Sequence, residues 1–505
     1  MTPLIWLILD WLVTCILFAV TVVLARINLS IQRKREILGE LPCYKGYLPL
    51  IGHAHLAFNL TYPGFIDMLI KSRSENKGSV QIWAGPKLSG YISNPADIQK
   101  VLNRKDALNK GDLFNFYQAH SVGLLSNTTP RWYKMRRLAS TPLTNLQMID
   151  SLQPVFQQQA GVLLQILSTV EGGHSFTDIY PYLSRCCQDI TYESHFGVKL
   201  GIQRNLELCA QESVAQSIAL INERMMKVWL YPDFIYFRTD KGKMLSKHVN
   251  HNQSVARKII SERRKILQCG KHNEEETEFD KKTKKLLDVY FQHGLSDEEI
   301  VHEIMDIMLA GFETMSLTQS WVLLLLSMFP IHQEKVRNEL DQVLGDSEDI
   351  SLADLQRCQY LDMVTKEALR LFGLPVVIRR LGSDVSLEIK NYTLPAEAEI
   401  IIAMCLVHRD ARYWDHPDQF YPDHFLPEKV AGRPKYAFLP FGGGPRKCPA
   451  YAYGLVVVKF IVATLLRKYT FTTKQDFNNL PLDLFFMYKP TDGFLLNFQP
   501  REFLI

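Results

Sequence analysis

The ten residues FGGGPRKCPA, 441–450, restrict the chain more than any other stretch. Three glycines and two prolines around a single thiol forbid regular structure across Cys448 and describe a tight loop. The pattern returns to helix after Pro449, which suits the first helical position because its missing N–H costs nothing there. Cys448 is therefore expected at a helix N-terminus, where unpaired N–H groups and the positive dipole end favour an anion. Gly442, Gly443 and Gly444 would let backbone approach the sulfur closely, and Arg446 and Lys447 are expected to lower the thiol pKa further.

Such a thiolate serves either as a covalent nucleophile or as a ligand to a soft or borderline metal. A cysteine hydrolase needs a histidine base held by a third group, and the histidines here sit in no such local signature. The nine cysteines include no CxxC pair, which argues against structural zinc and against a disulfide framework. A single thiolate with no second protein ligand points to a metal that arrives already coordinated, as haem iron does.

KYAFLPFGGGPRKCPA resembles the haem-binding loop of cytochrome P450 enzymes, with Phe441, Gly442, Gly444, Arg446 and Cys448 at the family's spacing. The resemblance implies haem b with Cys448 as axial ligand, and Ala450 replaces the family's usual glycine. Other segments agree in order and spacing. AGFET, 310–314, resembles the family's oxygen-binding segment, implying that Thr314 orders water and Glu313 relays protons. Gly311 and a Thr314 hydroxyl bonded back to the preceding turn make a local helix distortion physically reasonable. Met315 stands where a hydroxyl residue is common.

In RWYKMRR, Trp132 and Arg136 share one helix face and match the family's pair on a haem propionate; Arg379 and Arg446 fall where further propionate arginines stand. Lys134 and Arg137 suggest a positive patch that meets an acidic electron donor. Glu367 and Arg370 of KEALR are three apart, so they can pair on one helix face. In the family this is a buried structural pair completed by a later arginine, whose place His424 takes. The nearest likeness is to the animal microsomal group that includes fatty-acid ω-hydroxylases. Many of its members ester-link haem to a glutamate where this chain has Ala310, so no such link is implied here.

Residues 4–24 form an apolar run about long enough to cross a bilayer, interrupted only by Asp10. Arg26, Arg33, Lys34 and Arg35 follow it and nothing basic precedes it, which leaves the remainder on the cytosolic side. The expected division is a membrane anchor at 1–25, a basic, proline-rich hinge at 26–59 and a haem-thiolate catalytic domain at 60–505. Helix dominates that domain, with short strands at 79–84 and 89–94 and again across 383–404, so the fold class is mainly α with smaller β-sheets, and the resemblance implies the cytochrome P450 fold preceded by a transmembrane helix. Ser296 with Glu299, and Ser351 with Asp354, are capping-box signals for two helical runs, the first a long central helix ending before Pro330. Residues 268–285 read as an exposed, charged connection.

A formal charge of +4 is too mild to imply a nucleic-acid partner. The resemblance implies a monooxygenase that inserts one atom of dioxygen into a small apolar molecule, with NADPH-derived electrons supplied by NADPH–cytochrome P450 reductase at the endoplasmic reticulum membrane. Two alternatives are a haem-thiolate isomerase or dehydratase acting on a substrate peroxide, which would not need Glu313 and Thr314, and a non-catalytic haem protein. Segments 111–126 and 220–240 are expected to line the substrate pocket, and they leave lipid, hormone and foreign compound open.

Overall fold

The computed structural model describes residues 2–58, 60–76, 79–170, 175–269, 285–347, 349–389, 391–484 and 486–501. Helix α1 (Thr2–Leu38) opens the chain, and its first turns carry exposed Trp6, Trp11 and Phe18. It is long and apolar enough to cross a membrane. The sequence places a hinge from residue 26, but no helix breaker stands before Leu38, so α1 continues to that residue; Gly39, with φ 66°, ends it. Ile31 and Leu38 are buried with Trp83 and Ile400, and Lys34 donates to the Pro86 carbonyl at 2.9 Å. The last turns of α1 are thereby docked on the sheet described next.

Strands β1 (Ser79–Ala84), β2 (Lys87–Ile92), β3 (Val376–Arg380) and β6 (Glu399–Ala403) form one sheet in the order β1–β2–β6–β3. The β2–β6 pair is parallel and the other two are antiparallel. A small hairpin, β4 (Leu387–Ile389) with β5 (Tyr392–Leu394), fills the connection, so the strand pattern across 383–404 is realised.

The helical body is built around six segments: α2 (Arg131–Thr144), α3 (Tyr180–Thr191), α4 (Asp297–Ile307), α5 (Glu313–Met328), α6 (Gln359–Phe372) and α7 (Tyr451–Lys468). Both capping boxes form, Ser296 with Glu299 ahead of α4 and Ser351 with Asp354 ahead of the short helix Leu352–Arg357. Residues 315–327 are all buried, as apolar side chains that wrap the whole of α5 require. Its serines bond inward: Ser316, Ser320 and Ser327 each donate to the carbonyl four residues earlier. Trp321 stacks on Phe372 of α6 with centroids 3.6 Å apart, locking the two helices together. The expected central helix is thus two α-helices joined by a π-helical turn, Met308–Phe312. Most of the charged connection expected at 268–285 lies outside the described residues; Gln268 and Cys269 end an exposed helical turn and Lys285 is buried.

Candidate active site

The π-turn is where α4 and α5 open toward the site. Thr314 Oγ1 donates back to the Ala310 carbonyl at 2.8 Å, with Gly311 O at 3.2 Å, as the sequence anticipates. Ala310, Gly311 and Thr314 keep accessible surface although the residues around them are buried, so they border an interior space. Glu313 does not turn toward Thr314: its Oε2 accepts from Tyr180 Oη of α3 at 2.5 Å. Burial pushes the Glu313 carboxyl up to about 7, against the opposing pull of the Tyr180 hydrogen bond and the Lys489 ammonium.

The cysteine loop closes on itself through Cys448 N–H to Phe441 O at 2.9 Å and Lys447 N–H to Gly444 O at 3.0 Å. Because those groups are spent within the loop, Pro449 lies in a turn and α7 begins only at Tyr451, with Ala450 at φ −95° and ψ 20°. Cys448 therefore stands three residues before the helix rather than at its immediate N-terminus. The expected fall in thiol pKa is also reversed. Burial pushes Cys448 up, and the Ala450 N–H, Arg136 and Lys447 only partly offset it.

The glycines divide the work differently from the sequence expectation. Gly442 sits at φ 68° with nothing within 4 Å of where a Cβ would lie, so the loop presents an open face there. Gly444, at φ 66°, has the Leu102 carbonyl only 1.8 Å from that position, so its missing side chain serves packing of the loop on residue 102 rather than approach to the sulfur. At Gly454 of α7 an added Cβ would lie 3.9 Å from Met315, so the start of α7, just after the cysteine loop, packs beside the residue that follows Thr314.

Trp132 and Arg136 come to the same region on α2. The Arg446 guanidinium lies 4.2 Å over the Trp132 ring and donates to the Asn127 carbonyl at 2.7 Å. Arg379, on β3, is buried, and among the described residues its guanidinium donates only to the neighbouring Ile378 carbonyl, at 3.2 Å. Burial lowers Arg379 to about 10; Arg446 falls to about 9 through burial and the nearby charges of Arg379 and Arg136.

A fourth cation, Lys110, joins these three without any mark in the sequence. Its ammonium stands 3.7 Å over the Phe114 ring, and burial together with Arg379 and Arg446 pushes its pKa well down. The fold pins it there. Asn109 O accepts the Arg380 N–H at 2.9 Å, and a Cβ on Gly111 would meet Ile378 at 2.5 Å, which holds residues 109–111 against β3. No sequence signal marks a lone lysine in a loop.

Among the described residues none of Lys110, Arg136, Arg379 and Arg446 enters an ion pair, and Arg446 Nε is buried without a partner. Asp306 acts on Lys110 only from a distance and Arg136 lies beside the thiol, so this cation cluster without ion pairs fits a dianionic group such as a porphyrin with two carboxylates.

Glu367 and Arg370 pair away from this space, fully buried and bidentate, with Nε–Oε2 and Nη2–Oε1 both at 2.7 Å. Arg370 also donates to the carbonyls of His408, Pro417 and Gln419 at 2.7, 2.6 and 3.0 Å, tying α6 to the segment before the cysteine loop. Burial raises the Glu367 carboxyl, but its bonds to Arg370 and His424 outweigh that and leave it below the ordinary range.

The segments expected to shape the substrate pocket meet. Tyr117 Oη donates to Asn222 Oδ1 at 2.8 Å, and the buried Arg224 guanidinium lies 4.7 Å over Phe116 and 4.3 Å over Tyr236.

A mainly helical body, the Cys448 loop, a distorted helix at Thr314 and a set of cations without ion pairs among the described residues fit the haem-thiolate class. The sequence model of cytochrome P450 matches residues 46–498, and the chain belongs to the cytochrome P450 family. Similar proteins include cytochrome P450 4c3 of Drosophila melanogaster, 29% identical over 90% of this chain and 88% of the relative. Cytochrome P450 4V2 of Rattus norvegicus is 28% identical over 94% and 92%, and the probable cytochrome P450 313b1 of Drosophila melanogaster is 30% identical over 86% and 88%. Membership makes the chain an oxidoreductase, a monooxygenase with thiolate-bound haem iron, within the animal group of these relatives.

Proposed function

We propose that this chain is a membrane-anchored monooxygenase of small apolar substrates, with Cys448 as the axial thiolate and Thr314 and Glu313 as the groups that manage protons. The observation that carries the assignment is the cluster of Lys110, Arg136, Arg379 and Arg446, none of them in an ion pair among the described residues, with Arg136 beside Cys448. Trp132 would hold Arg446 in place, Phe441 and Gly442 would form the floor under the porphyrin, and Gly444 would keep the loop seated on Leu102. When bound, thiolate-ligated haem supplies the activation of dioxygen. Thr314 can order a water through its hydroxyl, and Glu313, whose pKa is raised to about 7, can supply a proton. Glu367 and Arg370 act only on the fold.

The domain division we propose is an anchor at 1–25, a basic and proline-rich hinge at 26–59 whose first third continues α1, and a catalytic domain at 60–505. Exposed Phe58 stacks on Trp229 at 5.1 Å, and Phe234 and Ile235 are exposed on the same segment; this apolar face offers the bilayer a second contact. The basic residues after the apolar run support an endoplasmic reticulum membrane location with the catalytic domain in the cytosol. Lys134, Arg137 and Lys447 offer a positive face to NADPH–cytochrome P450 reductase, through which NADPH would supply electrons.

The test is reconstitution of the purified full-length protein with that reductase and labelled dioxygen. NADPH-dependent incorporation of one labelled atom into an apolar ligand is expected. Turnover of a hydroperoxide without NADPH, and none with it, would replace the reading by an isomerase.

A further inference from the structure

We propose that Tyr180 is a positioning residue for Glu313: its phenol holds the carboxyl on the α3 side, away from Thr314, and sets the pH at which that acid gives up its proton. The inference rests on the reading of Glu313 and Thr314 as the proton-handling pair.

Both partners are buried, Tyr180 at 3% and Glu313 at 5% exposure, and Tyr180 Oη is 2.5 Å from Glu313 Oε2. The phenol's position is fixed from outside the pair. Tyr180 N–H donates to Asp178 Oδ1 at 3.1 Å, and the same oxygen accepts the Phe494 N–H at 3.0 Å, tying the start of α3 to the C-terminal strands. On β7 (Tyr488–Pro490) the Lys489 ammonium lies 4.3 Å from the centroid of the Tyr180 ring. Thr314 has turned its own hydroxyl into the helix, toward Ala310 and Gly311. Glu313 must therefore leave Tyr180 before it can serve Thr314.

A phenol that donates to a carboxylate stabilises the charged form, and an ammonium close by adds to it. The ionisable groups acting on Glu313 are Tyr180 and Cys187 of α3 and Lys489 of β7. Burial opposes the first and last of these and dominates. Removing the phenolic hydroxyl takes away a stabiliser of the charged carboxylate, so the acid should hold its proton to higher pH.

The experiment uses the full-length, haem-loaded protein with Tyr180→Phe, Lys489→Met, Glu313→Gln and the Tyr180→Phe/Glu313→Gln pair. Infrared titration follows the protonated carboxyl stretch, identified by its loss in Glu313→Gln. In Tyr180→Phe the midpoint should rise by roughly one to two pH units, the size of a hydrogen bond to a charged acceptor. Lys489→Met should raise it less, and it reads the same hold if Tyr180→Phe does not fold. The ratio of product to NADPH consumed should shift along the pH axis with Tyr180→Phe, and the double variant should match Glu313→Gln. An unmoved infrared midpoint in Tyr180→Phe, or in Lys489→Met where only that variant folds, overturns the proposal. A moved midpoint with a coupling ratio indifferent to pH in every variant upholds Tyr180's hold on the acid and overturns the proton-handling reading instead.

Discussion

His424 Nδ1 lies 3.2 Å from both carboxylate oxygens of Glu367, and its Nε2 faces the Asp415 carbonyl. Imidazole thus fills the place of the third, cationic partner of the Glu367–Arg370 pair. Both ring nitrogens meet acceptors, and Arg433 steadies the assembly by donating to His424 O at 2.6 Å while its guanidinium covers Trp414 at 3.6 Å.

Truncating this network should separate its parts. His424→Ala is expected to cost about 1–3 kcal/mol, the loss of one partner to a buried carboxylate. Glu367→Ala strands the buried Arg370 and should cost roughly 3–5 kcal/mol, enough to prevent haem incorporation. Denaturant unfolding of the two purified variants checks the order.

Cys448→Ser should abolish the thiolate-type Soret band of the reduced carbon monoxide complex together with NADPH-dependent product. Retention of both would remove Cys448 from the iron. Absorbance spectroscopy and product analysis on one preparation suffice.

Lys110→Met removes one of the four cations while leaving the cysteine loop intact. Loss of one charge-assisted bond of roughly 1.5–3 kcal/mol corresponds to about ten- to a hundredfold faster haem release. Transfer of haem to an excess of apomyoglobin measures that rate without recourse to turnover.

Thr314→Ala should leave NADPH consumption nearly intact while product per NADPH falls by about a hundredfold, the lower end for a lost proton-transfer group. Simultaneous assay of NADPH, hydrogen peroxide and product gives the ratio.

Glu313 carries a pH signature in stability as well. Its folded pKa of about 7 exceeds the ordinary 4.5, so the folded state binds the proton more tightly than the unfolded one. Stability from this group is whole below about 4.5 and is lost as pH rises toward 7, by roughly 3 kcal/mol in all. Glu313→Gln should flatten that slope in urea denaturation measured across pH 4–8.

Much of the frame is local and could be read along the chain. The capping boxes at Ser296 and Ser351, the strand at 79–84 and the i, i+3 pairing of Glu367 with Arg370 depend on neighbours within a few residues, and each forms as expected, while the strand expected at 89–94 forms two residues earlier, at 87–92. Basic residues after the apolar run do not break a helix, so α1 continues through them, and Gly39 ends it. Lys110 stayed hidden because its meaning comes from Arg379, more than 260 positions away, which only the docking of Asn109 on β3 brings near.

The order of residues alone determined a glycine loop that presents one thiol and, separately, an apolar helix with a turn prone to distortion, since backbone freedom and periodicity are properties of short segments; that the two face each other was implied only by resemblance. Tertiary structure decided the charge state and direction of the groups within it. Burial raises the Cys448 thiol despite its basic neighbours, and turns Glu313 to Tyr180 instead of to Thr314. Desolvation and hydrogen-bond partners are set by which distant segments the core packs together, and no local pattern encodes them.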